Sequence, residues 1–203
     1  LNLGKIHLER KNYNEATLVG RKFLQIYPRS KLVPDGMKLL ARALRGQGDF
    51  SEAINIYEDL LARSSEKAEV HYFLGETFSE INQLADAVQA YQRAIETYDR
   101  QEKLIPEYLQ NAYFHLGTSL FKLNRFGPAM EALKSASELF PDNPLRDWAD
   151  FLMIESLEKL GDPSRITEGL NKLVKTENGD DLTRQAAESR VKIREWEKQL
   201  KEG

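Results

Sequence analysis

The sequence predicts an all-α fold, a solenoid of stacked helix-turn-helix repeats, and three observations predict it. A small residue, an apolar residue nine positions on and an alanine three further recur in a fixed order: Gly4, Tyr13, Ala16; Ala41, Phe50, Ala53; Gly75, Leu84, Ala87; Gly117, Phe126, Ala129. All three markers step by the same 37, 34 and 42 residues, so they belong to one repeating unit. The stretch from Leu40 to Tyr57 shows the unit most plainly, as one helix, a break at Gly46-Gln47-Gly48-Asp49 and a second helix.

Each marker has a physical reason. Where two helices of a hairpin run nearly antiparallel, a small residue on the first and an alanine on the second let the axes approach closely. Leu40, Leu74 and Leu116, each just before the small residue, and Tyr57, Tyr91 and Leu133, each four after the alanine, complete an apolar seam at helical spacing. One hairpin cannot bury that seam alone, so neighbours must stack.

These residues resemble the tetratricopeptide repeat family, whose unit of about 34 residues carries Leu-Gly, an aromatic, Ala, an aromatic and a closing Pro in order. The resemblance rests on Tyr72-Phe73-Leu74-Gly75, Phe78, Leu84, Ala87, Tyr91 and Ala94, and on Tyr113, Leu116-Gly117, Leu120, Phe126, Ala129, Leu133, Ala136 and Pro141. Pro28 and Pro141 both fall twelve residues after their alanines, at the family's closing position. Ala41 in place of the glycine, Gly20 in place of a large apolar residue, and Ser65 and Asp99 in place of prolines are departures. The resemblance implies a right-handed α-solenoid and a protein-interaction role.

In order, the chain divides into repeat one at residues 1–30, repeat two at 31–65, repeat three at 66–109, repeat four at 110–143, a degenerate repeat five at 144–177 and a capping helix at 178–203. Repeat one enters part-way into its first helix, which is expected of a piece of a longer chain. Pro28 stops its second helix, and Ser30 or Asp35 is placed to cap the next, with Pro34 in its first turn. The segment from Phe23 to Gly36 is similar to a Phe-x-x-x-Tyr-Pro-x-Ser-x-x-x-Pro linker of bacterial envelope repeat proteins of the outer-membrane assembly lipoprotein and Tol-Pal-associated type, which favours a periplasmic or cell-envelope location over a cytoplasmic one. Eight extra residues between Ala94 and Ala112 contain no breaker before Pro106, so they are expected to lengthen repeat three's second helix by about two turns. Repeat five carries Trp148, Phe151, Leu152, Ile154 and Leu157 before a stop at Gly161-Asp162-Pro163, then Ile166, Leu170, Leu173 and Val174. The last helix places Leu182, Ala186, Ser189, Ile193, Trp196 and Leu200 on one stripe, read as a terminal cap, with a weak homodimer through this helix as the alternative.

Composition excludes several function classes. In 203 residues, 30% are charged with a net charge of −3, so there is no basic footprint for nucleic acid. No uncharged apolar run is long enough to cross a membrane. Cysteine is absent, which removes disulfides, thiolate metal sites and a Cys nucleophile. His7, His71 and His115 stand on separate repeats at no metal-ligand spacing. Glu155 and Glu158 share a helical face, where a solvated charged face is commoner than an acid–base pair. Gly46-Gln47-Gly48 is a helix break without the Lys-Ser/Thr of a phosphate loop. Neither catalysis, a metal nor a cofactor is expected.

In the family, ligands meet fixed positions on the first helices. Carried over, the resemblance implies a groove with Lys5 from repeat one; Lys38, Arg42 and Arg45 from repeat two; Tyr72, Glu76 and Glu80 from repeat three; and Asn111, Phe114, Thr118, Phe121 and Lys122 from repeat four. Its character runs from basic through acidic to aromatic. Tyr72, Phe114 and Phe121 are the candidate anchors, unless neighbouring elements cover them. Tyr72 and Glu76 replace the cations, and Lys5 the asparagine, of the family's carboxylate clamp, so that clamp is not expected. The function expected is a non-catalytic scaffold or adaptor that binds a partner peptide or helix in this groove, in a bacterial envelope assembly. The alternatives are a homo-oligomerisation module and a regulatory domain of a larger protein.

Overall fold

The computed structural model describes residues 1–63, 67–98, 104–161, 166–174 and 181–202. Among them are eleven helices and no strands: α1 (Asn2–Glu9), α2 (Tyr13–Ile26), α3 (Val33–Gln47), α4 (Phe50–Arg63), α5 (Lys67–Glu80), α6 (Leu84–Thr97), α7 (Glu107–Lys122), α8 (Phe126–Leu139), α9 (Arg146–Lys159), α10 (Ile166–Val174) and α11 (Asp181–Glu202). The fold class is the all-α one the sequence predicts, built of stacked helical hairpins.

The turns fix the repeat more sharply than the packing residues do. Five described residues have positive φ: Lys11 at 58°, Gly48 at 87°, Asn82 at 60°, Asn124 at 59° and Gly161 at 77°. The first four stand seven residues after Gly4, Ala41, Gly75 and Gly117. The turn inside each of these four hairpins therefore passes through one left-handed residue, the backbone state that ends a helix most cheaply at Gly or Asn. Gly161 likewise takes the left-handed state just after α9, and residues 162–165 between it and α10 lie outside the described residues.

Within a hairpin the small residues do what their size permits. Ala16, Ala53, Ala87 and Ala129 are all 0% exposed. A Cβ added at Gly75 would stand 2.6 Å from Cδ1 and Cε1 of Tyr91, and one at Gly117 would stand 2.5 Å from Cγ of Leu133. The degenerate hairpin reverses this arrangement. Seven residues before Gly161 stands the bulky Ile154, and the space it needs is made on the second helix, where a Cβ at Gly169 would meet Ile154 at 2.9 Å.

The helices divide into two compact units, Leu1–Leu109 and Gln110–Gly203. The first is centred on Met37, Leu40, Leu44, Tyr57, Leu60, Val70 and Leu74. The second has one cluster around Phe114, Leu133, Phe140 and Leu152, and another around Ile154, Ile166, Leu170 and Ala187.

Three expectations are corrected or fall outside the description. Repeat three's second helix is not lengthened: α6 stops at Thr97, and Tyr98 is extended at φ −71°, ψ 129°. A helix projecting past its neighbours would bury nothing to offset its ordering. Instead Thr97 bonds back to the Arg93 carbonyl at 2.6 Å, and the Tyr98 hydroxyl donates to the Leu104 carbonyl at 3.3 Å. Residues 99–103 of the expected extension lie outside the described residues. Neither Ser30 nor Asp35 caps α3, which starts after Leu32; Ser30 accepts the Leu32 N–H in the preceding turn and Asp35 sits in the first helical turn. In the stripe on α11, the side chains of Leu182, Trp196 and Leu200 lie outside the described residues.

Candidate functional site

In the first unit α3 lies against both α1 and α5, so three first helices share a face. A cleft in that face is lined by Lys5, Leu8, Asp35, Lys38, Leu39, Arg42, Glu69 and Phe73. Its floor is apolar, from Leu8, Leu39 and Phe73, and its rim is charged.

The rim is not basic and then acidic, as the linear order suggests, because consecutive repeats neutralise each other. Lys38 Nζ lies 2.8 Å from Glu69 Oε2 and 3.6 Å from Asp35 Oδ1. Arg45 faces Glu76 at 3.7 Å and Glu80 at 3.5 Å. Burial pushes the Glu80 carboxyl above its ordinary range, against the opposing pull of Arg45. Two cations are left over. Arg42 holds its guanidinium over the Phe73 ring at 5.0 Å, and neither it nor the exposed Lys5 is in an ion pair among the described residues.

Two of the three expected aromatic anchors are interior residues. Tyr72 is 8% exposed, with Phe73, Tyr91 and Tyr108 rings at 5.4, 6.1 and 5.9 Å. Phe114 is 1% exposed, in the cluster with Leu133, Phe140 and Leu152. The resemblance assigns their places on the first helices to ligand contact, but the rings pack into the interior instead. Phe121 is half-buried, edge-on to Phe126 at 5.5 Å. Of the remaining residues assigned to repeat four, Asn111 accepts from Asn143 at 3.2 Å, Thr118 bonds to the carbonyl of Phe114 at 3.0 Å, and Lys122 is exposed. Trp148 is 41% exposed and stacked on Phe151 at 5.3 Å. Phe73, part of the cleft floor, was legible only as a motif residue of the Tyr72-Phe73 pair.

Groups capable of acid–base chemistry have structural partners. Glu155 faces Arg190 of α11 at 3.1 Å, and Glu158 pairs with Arg190 and, at 3.6 Å, with Arg194. The pair thus anchors the last helix. His71 is buried, which lowers its pKa, with Arg93 and Lys67 acting the same way. Among the described residues no group of three or more His, Asp or Glu could hold a metal ion, and no helix is long and apolar enough to cross a membrane.

Four equivalent left-handed turns and four buried alanines in register define the repeat, and the family comparison agrees with it. Two protein-family models described as tetratricopeptide repeat match residues 38–102 and 110–143. The chain carries tetratricopeptide repeats. Solved structures of similar fold include MamA from Desulfovibrio magneticus RS-1, at a TM-score of 0.70 and 18% identity over 89% of this chain and 94% of that one. YrrB, described as a tetratricopeptide repeat protein with an unusual peptide-binding site, aligns at a TM-score of 0.69 and 16% identity over 93% of this chain and 90% of that one. At these identities the likeness is one of fold. No curated protein matches the sequence.

Proposed function

We propose that the first unit is a protein-interaction module whose cleft between α1, α3 and α5 binds a segment of a partner protein, making the chain a scaffold or adaptor. The observation that carries this reading is the pairing of an apolar floor, Leu8, Leu39 and Phe73, with two cations, Lys5 and Arg42, that no described carboxylate neutralises. Such a cleft suits a segment with an apolar side chain for the floor and acidic residues beside it. The fold shared with YrrB, whose description names a peptide-binding site, supports the same reading. The similarity of residues 23–36 to the linker of bacterial envelope repeat proteins supports an envelope assembly as the setting.

Selection of a displayed random peptide library against the full chain tests it. Peptides so selected should bind Lys5→Glu and Leu8→Asp variants at least about tenfold more weakly, since each substitution removes or inverts a contact in the cleft. Selected peptides that bind these folded variants with unchanged affinity would place the interaction elsewhere.

A further inference from the structure

Tyr57 and Tyr91 hold the same place in consecutive repeats, and each follows a charged residue of the shared face by fifteen positions, Arg42 and Glu76 respectively. In the later repeat the two side chains match: the Tyr91 hydroxyl donates to Glu76 Oε1 at 3.2 Å. In the earlier repeat a guanidinium stands where that acceptor should be. The hydroxyl of Tyr57 is accordingly left without a hydrogen-bond partner, although the residue is 0% exposed. A buried donor in this state is destabilising unless something supplies an acceptor.

The neighbours of Tyr57 make the same demand. Its ring stacks on Phe73 at 6.0 Å, and Arg42 lies over Phe73 at 5.0 Å. Arg45 contributes Nη1, itself buried without a hydrogen bond and 3.7 Å from the nearest Glu76 oxygen. Arg45 already faces Glu76 and Glu80, but Arg42 is in no ion pair among the described residues, so the group missing beside it and Tyr57 is an anionic acceptor. The carboxylates facing the same place already have partners: Glu69 is held by Lys38 at 2.8 Å, Glu76 by Tyr91, and Glu80 lies 3.5 Å from Arg45. Their presence disfavours a dianion such as phosphate. A single carboxylate can accept from the hydroxyl with one oxygen and from a guanidinium with the other.

We propose that Tyr57 of α4 and Arg42 of α3, with Arg45 next to them, form a carboxylate-binding site beside Phe73, at the edge of the cleft, which takes an aspartate or glutamate side chain of the bound segment. This rests on the reading of the cleft as a partner site and adds to it the group recognised. Arg42 turns from the Phe73 ring towards the acid, and Tyr57 gains the acceptor that Glu76 provides one repeat later.

The test is titration of the labelled full chain with sodium acetate, read at the Arg42 and Arg45 Nε–Hε resonances, beside acetamide, sodium chloride and inorganic phosphate at matched ionic strength. Acetate should give saturable shifts. Tyr57→Phe should weaken acetate binding roughly tenfold while melting no lower than the parent, because the hydrogen bond to a charged group is lost and the unpartnered hydroxyl goes with it. Arg42→Gln, at an exposed position, should abolish the response and serves if Tyr57→Phe does not fold. Shifts that stay linear, an equal response to acetamide, chloride or phosphate, or unchanged acetate affinity in a folded Tyr57→Phe overturns the proposal. Peptides that fail to bind Leu8→Asp yet bind Tyr57→Phe unchanged would leave the cleft standing and remove the carboxylate site. Peptides indifferent to Leu8→Asp, with acetate behaving as expected, would do the reverse.

Discussion

Replacing Phe114 by alanine distinguishes a ligand anchor from a core residue. An anchor at the surface leaves stability nearly unchanged when truncated. Phe114 is 1% exposed and meets Leu133, Ala136, Phe140, Ala149 and Leu152, so its loss removes a whole ring from an interior that can close only in part. Phe→Ala in such a site costs about 3–5 kcal/mol. For a unit the size of Gln110–Gly203 that corresponds to a fall in Tm of roughly 10 °C or more. Phe114→Leu, which keeps most of the volume, should cost about 1 kcal/mol. Both tryptophans, Trp148 and Trp196, belong to the second unit, so tryptophan fluorescence during urea unfolding reports this unit, with helical circular dichroism recording the whole chain. A cost below about 1 kcal/mol for Phe114→Ala, with an unchanged denaturant slope, would refute the assignment to the core.

Gly75→Ala should lower stability by about 1–2 kcal/mol, the overpacking against the buried Tyr91 ring exceeding the helix-propensity gain, whereas Gly127→Ala, with nothing within 4 Å but Pro128 next in the chain, should be close to neutral; paired urea titrations compare them. Lys11→Gly should raise stability by about 0.5–1 kcal/mol by relieving a side chain held at φ 58°, and a decrease in its urea midpoint would contradict the turn geometry. The pKa of His71 is lowered by burial, so the unfolded chain binds more protons below the ordinary value of 6.5. Its contribution to stability is therefore complete above that pH and declines as pH falls towards the lowered value; a Tm-against-pH curve of His71→Gln should lack this part of the slope.

The hairpins were legible because their constraints are local. Gly75 and Ala87 sit where two helix axes come together, so no larger residue fits, and a size rule of that kind appears in one dimension as a spacing. Depth was less legible. Tyr72 and Phe114 stand at positions the family resemblance assigns to ligands, yet their rings are buried, which spacing does not encode. The charges illustrate a signal present but misread. Lys38 and Glu69, and likewise Arg45 and Glu76, are 31 residues apart, close to one repeat, so a basic stretch followed by an acidic one describes two helices that neutralise each other. The extra residues after Ala94 misled for a different reason. Absence of a breaker permits a helix, but only a neighbouring surface stabilises one, and the sequence names no such surface.

The described side-chain links between hairpins span about one repeat or less: Thr17 to Gln47, Arg21 to Glu52, Gln47 to Asn14 and Asn143 to Asn111 bridge 30, 31, 33 and 32 residues, and Ser137 to Asp150 bridges 13. No described link asks the chain to close a longer loop. Its consequence is kinetic. Within each unit, structure can begin at any hairpin and spread to the next without a slow long-range search, and during synthesis a hairpin completes its contacts once the following one has emerged. Residual structure on truncation from the carboxyl end should therefore disappear one hairpin at a time.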